Sequence, residues 1–151
     1  MKAYHFLKDD MMAGHGNEPA WHEGEERDIG DDNLIMCERG YHSSPSFYDA
    51  LPYAEGNMAC IVKVSKPIHK GPFKQVSRRR KLIKARNIER ELRAFACDCE
   101  ERERKHVKDK QSWYAMGGAA WIAERKWRKR RLEKLIEGVF NENAGGDKET
   151  A

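Results

Sequence analysis

The sequence predicts an α+β fold: a small N-terminal mixed β-sheet with one short helix, followed by an antiparallel helical hairpin. Three observations predict it. Cys60, Val62 and Val64 alternate against Ala59, Ile61 and Lys63, the period of a half-buried strand. Leu82, Ile83, Ile88, Leu92, Phe95, Ala96 and Cys99 recur at helical spacing. Charge also divides the chain: residues 1–76 hold 8 Lys and Arg against 12 Asp and Glu, residues 77–140 hold 20 against 10, and residues 141–151 hold 1 against 3.

Taken in order, Lys2-Ala3-Tyr4-His5-Phe6-Leu7 reads as an opening strand. Residues 9–33 are polar and rich in Gly, Asp and Glu, a loop or short hairpin with Trp21 as its anchor. Leu34-Ile35-Met36-Cys37 is a short apolar run, expected as a buried strand before a turn at Gly40. Ser44-Pro45-Ser46 reads as a helix start, since serine caps and proline suits the first helical position. That helix places Phe47, Ala50, Leu51 and Ala54 on one face and ends at Gly56-Asn57. The strand from Met58 to Val64 follows, and Pro67 with Gly71-Pro72 closes a module over residues 1–76.

A basic helical hairpin is expected over residues 77–140. Its first helix runs from Ser77 to about Val107, and 108–111 is the connection. Ser112 caps the second helix, whose stripe is Trp113, Met116, Ala120, Ala123 and Trp127, continued by Leu132, Leu135, Ile136 and Val139. Gly117-Gly118 is a weak point, at roughly 1 kcal/mol per glycine relative to alanine. Residues 141–151 read as a polar flexible tail.

The chain has 151 residues, 39% hydrophobic and 36% charged, which allows a core of modest size. Four Trp and five Phe argue against disorder. Neither an apolar leader nor a run of roughly 18–20 apolar residues is present, so a cytoplasmic setting without membrane insertion is expected. The cysteines Cys37, Cys60, Cys97 and Cys99 are then expected as reduced thiols. His15 and His22 flank an acidic loop, but no spacing in the chain matches a metal site, and none is expected.

Two constellations carry chemistry. Gly40-Tyr41-His42-Ser43-Ser44 stands at a strand-to-helix junction, where free N–H groups can receive an anion. His42 and Ser44 are the ligand-binding candidates there, set against the bland reading of caps and packed rings. Adjacent His42 and Ser43 point to opposite faces of a strand, so a Ser-His triad is not expected. The second constellation is cationic: Arg78, Arg79, Arg80, Lys81 and Lys84, then Arg125, Lys126, Arg128, Lys129, Arg130 and Arg131. Such runs contact phosphates, and four cations opening a helix would oppose its dipole. The competing readings are a solvated face, or docking of the basic half on the acidic half of the same or another copy.

The strand Met1 to Leu7, the block Cys37-Glu38-Arg39-Gly40-Tyr41-His42-Ser43-Ser44, the segment Tyr48-Asp49-Ala50-Leu51-Pro52-Tyr53-Ala54 and the strand to Val64 resemble a family of uncharacterised phage and prophage proteins. Ala119 to Trp127 resembles the Ala- and Trp-rich helical region of the same family. The resemblance implies a phage origin and a host-cell cytoplasm, not an activity. Over less of its length the chain is also similar to ADP-ribosyltransferase-type folds. That similarity would make His5, Tyr41 and Ser43 the residues holding NAD, while the catalytic glutamate of those folds has no clear counterpart.

The expectation is a phage accessory protein that acts without catalysis, binding host nucleic acid or an acidic surface of a host (defence) complex through the basic hairpin. Two alternatives stand beside it: a diverged NAD- or nucleotide-binding ADP-ribosyltransferase-like enzyme, and an assembly protein that forms a homo-oligomer through its helices.

Overall fold

The computed structural model describes residues 1–106 and 117–145. The chain forms two compact units, Met1–Asn87 and a second beginning at Ile88.

The first unit is one five-stranded sheet: β1 (Lys2–Leu7), β2 (Glu26–Asp28), β3 (Tyr41–Ser43), β4 (Met58–Lys70) and β5 (Gln75–Asn87). Every pairing is antiparallel, so the expected mixed sheet is corrected to an antiparallel one. The order is β1-β4-β5-β2, and β3 lies along the same edge of β5 as β2. β2 takes Arg79 to Lys81, and β3 takes Gln75 to Ser77. One residue past β3, Ser44 and Tyr4 exchange backbone hydrogen bonds of 2.9 and 2.8 Å. The sheet thereby returns to β1 and closes into a ring. Ala3, Leu7, Trp21, Tyr41, Cys60, Val62, Val64, Leu82 and Ala85 fill it.

Residues 77–87, expected as the start of a helix, are the second strand of a long β4–β5 hairpin. The division of the chain accordingly falls after Asn87, not after residue 76. Arg80, Leu82 and Ala85 of β5 are buried opposite the core residues Val64, Val62 and Cys60 of β4. An arginine at an inward position hides that pattern from a hydrophobicity count. β4 also continues through Pro67, across a register shift between Ser65 and Ile68, where an irregularity tolerates proline.

Two smaller corrections fall near the functional residues. Leu34 to Cys37 forms no strand: Ile35 bridges Arg39 across a tight turn, and Cys37 has φ 70°. The helix α1 (Phe47–Ala50) is one turn long, continued by a 3₁₀ turn at Leu51–Tyr53. Its cap is Ser46, whose Oγ accepts from the Asp49 N–H at 3.1 Å; Ser44 is taken by the bridge to Tyr4.

The second unit contains α2 (Glu89–His106) and α3 (Gly118–Gly145). Helix α3 runs through 141–145, which the sequence assigns to the tail. Leu132, Ile136 and Phe140 are buried at four-residue spacing. The expected connection at 108–111, the cap at Ser112, the positions of Trp113 and Met116, and residues 146–151 lie outside the described residues. Among the described residues no helix is long and apolar enough to cross a membrane.

Candidate ligand-binding cleft

Ring closure sets the cleft. Because Tyr4 pairs Ser44 in antiparallel sense, His5 and Ser43 face each other one step along the seam. Gly40 makes the entry to β3 possible: its φ is 116°, and a Cβ there would lie 2.5 Å from Val76 Cγ2. Tyr41, His42, Ser43 and Ser44 then line a cleft of about 690 Å³. His5 and Arg80 also line the cleft, and Cys37, Tyr53 and Lys74 contribute further lining.

Arg80 is the unusual group. It is 4% exposed, and its Nη1 donates to the His42 carbonyl at 2.7 Å. Its guanidinium lies 4.6 Å from the Trp21 ring centroid and 5.2 Å from that of Tyr41. Arg27 stacks on the same indole at 4.0 Å. Among the described residues no carboxylate comes within ion-pair distance of Arg80, and Glu18 acts on it only from further off. Burial lowers its pKa to about 10, so it keeps its charge at neutral pH. A buried cation without a counter-ion costs several kcal/mol. With one donor committed to His42, the remaining N–H groups of the fork are available to a bound anion.

The neighbouring side chains are neutral hydrogen-bonding groups. Burial, and then the positive charge of Arg80, hold the His5 pKa well below its ordinary value. Burial lowers His42 too, with Lys74 and Arg80 adding to it. His42 Nε2 accepts from the Cys37 N–H at 2.9 Å, which places the proton of the neutral ring on Nδ1. Ser43 Oγ accepts from Gln75 Nε2 at 3.1 Å, leaving its hydroxyl hydrogen for another acceptor. At the mouth, Lys74 Nζ bonds Cys37 Sγ at 2.8 Å and lies 4.6 Å from the Tyr53 ring. Burial pushes the Cys60 thiol up to about 12, so it serves as core.

The structure brings His5, Tyr41, His42, Ser43 and Ser44 into one cleft, as the sequence motifs raised. The helix N-terminus does not supply the anion site, since α1 has a single turn and begins at Phe47. The positive charge lining the cleft is that of Arg80, which the sequence places in a basic run opening a helix. The available signal was β4–β5 pairing, which sets Arg80 opposite the core residue Val64.

The other predicted cations divide. Arg78 Nε bonds Asp28 and its Nη1 bonds Asp32, both at 2.9 Å, and Arg79 Nε also bonds Asp28. Lys81 is half-buried, and Lys84 is exposed. On α3, Arg128 Nε bonds Glu124 at 3.0 Å, and Arg131 Nε bonds Asp98 of α2 at 2.7 Å. Lys126, Lys129 and Arg130 are exposed, and Arg125 is half-buried. Among the described residues no group of three or more His, Cys, Asp or Glu is placed to hold a metal ion.

No protein family, curated protein or solved structure matches the chain.

Proposed function

We propose that the closed sheet of the first unit binds a small phosphate-bearing ligand of the nucleotide class, anchored by Arg80. The observation that carries this reading is the buried guanidinium, without a carboxylate partner among the described residues, lining a cleft beside neutral His5, His42 and Ser43. Arginine presents a planar fork that matches phosphate oxygens. The cleft volume falls within the roughly 300–1,000 Å³ of small-molecule sites. Neutral donors and acceptors around one fixed charge suit a ligand that carries hydroxyl or amide groups next to its anion. This is the nucleotide-binding alternative, with NAD as one candidate and Arg80 added to His5, Tyr41 and Ser43.

Thermal melting with inorganic phosphate, ADP and NAD tests it. At a concentration 100 times its Kd, a bound ligand stabilises by about 2.7 kcal/mol and raises the Tm accordingly. Arg80→Lys keeps the charge but loses the fork, and is expected to weaken binding about tenfold or more. Trp21 emission, quenched or shifted through its contact with Arg80, gives a second readout. Melting curves that stay flat with all three compounds overturn the reading.

We infer that α2 and α3 form an antiparallel hairpin. Asp98 pairs with Arg131 and Arg102 with Glu124, so contacts advance along one helix as they recede along the other.

A further inference from the structure

We propose that Lys126, Arg130 and Lys134 of α3 form a nucleic-acid-binding stripe that contacts phosphates and not bases. The inference is independent of the cleft and rests on which cations the fold has already used. Arg78 and Arg79 are paired with Asp28, and Arg86 with Glu23. Arg80 faces the cleft. Arg128 is held by Glu124, and Arg131 by Asp98. Lys126, Arg130 and Lys134 are exposed and, among the described residues, have no carboxylate within 4.0 Å.

Their spacing makes them one surface. Positions 126, 130 and 134 are four residues apart on a helix of 28 residues, so they lie on one face at intervals of about 6 Å. A shallow groove lined by Lys126, Lys129, Arg130, Glu133, Lys134 and Glu137 runs along this face. The two glutamates limit its positive charge. A regular row of cations can meet a regular row of phosphates in many registers, whereas an acidic protein surface must match it side chain by side chain. The repeat therefore favours a nucleic-acid backbone, bound without sequence preference.

The structure also sets the strength. Eleven predicted cations would give a steep salt dependence; about three phosphate contacts give a slope of about −3 in log K against log salt. Affinity should then fall about 40-fold between roughly 50 and 200 mM salt.

Fluorescence anisotropy of the full chain with a labelled duplex of about 20 base pairs tests this across that salt range. The expected result is a slope near −3, with binding lost in the triple variant Lys126→Gln, Arg130→Gln, Lys134→Gln. Those positions are exposed, and circular dichroism confirms that the variant is folded. The double variant Arg78→Gln, Arg79→Gln is expected to bind within about twofold of wild type. Absence of binding at the lowest salt overturns the proposal, as does a triple variant that binds normally. Competition by polyglutamate as effective as unlabelled DNA also overturns it, and points to an acidic protein.

Discussion

β5 carries Arg78, Arg79 and Arg80 on consecutive residues, and α3 carries six cations among the seven residues from Arg125 to Arg131. On the strand, the run divides by partner: Arg78 and Arg79 meet the acidic segment at Asp28 and Asp32, and Arg80, opposite Val64 of β4, enters the interior. On the helix, successive residues turn by about 100°, so the run wraps the whole circumference. Arg128 and Arg131 reach buried or half-buried carboxylates, whereas Lys126 and Arg130 stay in solvent. Runs that look alike as text therefore become three things: a charge seam to the acidic segment, a buried anchor and an exposed stripe. The acidic N-terminal segment is in part the counter-ion of β5.

The helical side of this comparison breaks most severely at Glu124. Its side chain is fully buried between Arg102, at 3.0 Å, and Arg128, at 3.0 Å, with Arg102 stacked 4.0 Å from the Trp127 ring. Burial alone would raise its pKa, but hydrogen bonds from the two arginines bring it below the ordinary value. Glu124→Ala leaves two guanidinium groups facing each other. Urea denaturation is expected to show a loss of about 3–5 kcal/mol, and a loss below 1 kcal/mol would mean that water already reaches the site.

The strand side breaks at Gly40. Gly40→Ala places a Cβ against Val76 of β5 at a positive φ, so a cost of about 1–3 kcal/mol is expected. If the cleft binds phosphate, the ligand-induced rise in Tm should fall with it, because β3 lines the cleft. Unchanged stability would show that the β3–β5 seam can shift to accommodate the methyl group.

The smallest effect concerns Asp28. The hydrogen bond from Arg78, with the Gly30 N–H and Arg79, holds its pKa well below the usual carboxylate range. A depressed carboxylate stabilises the folded chain above its unfolded pKa of about 3.9, and that contribution disappears as pH falls through the folded value. Asp28→Asn should therefore flatten the acid limb of stability against pH below about pH 4 while leaving the shape above pH 6 unchanged. An unaltered acid limb would assign it to the other depressed carboxylates, Glu25, Asp31, Glu101 and Glu124.

Parts of this molecule are legible in the amino acids, and the illegible parts share a cause. The first half of β4 announces itself through the alternation of Cys60, Val62 and Val64, and β1 through its short run from Lys2 to Leu7. β5 does not, because Arg80 occupies an inward position and Ile83 an outward one, so a burial pattern exists without a hydrophobic pattern. β2 consists of Glu26, Arg27 and Asp28, which carry no strand signal and are ordered by pairing to β5. Leu34 to Cys37 has the apolar content of a strand, but the left-handed Cys37 turns it back on itself. The segment Tyr41-His42-Ser43-Ser44 stands out in the sequence as a candidate, but its nearness to His5 depends on a strand pairing that the sequence does not fix. The anchor does not stand out, since only tertiary pairing distinguishes Arg80 from its two neighbours.

The ring of the first unit is fastened at one residue pair, Tyr4 with Ser44. The next pair along the seam, His5 and Ser43, lines the cleft. A molecule seated between them touches both sides of the joint and acts as a clasp. Opening the joint pulls the walls of the cleft apart, while filling the cleft resists that opening. If the cleft binds the ligand proposed above, occupancy and closure of the ring are coupled, and the edges of β1 and β3, which would otherwise be open to pairing with other chains, are protected best when it is bound.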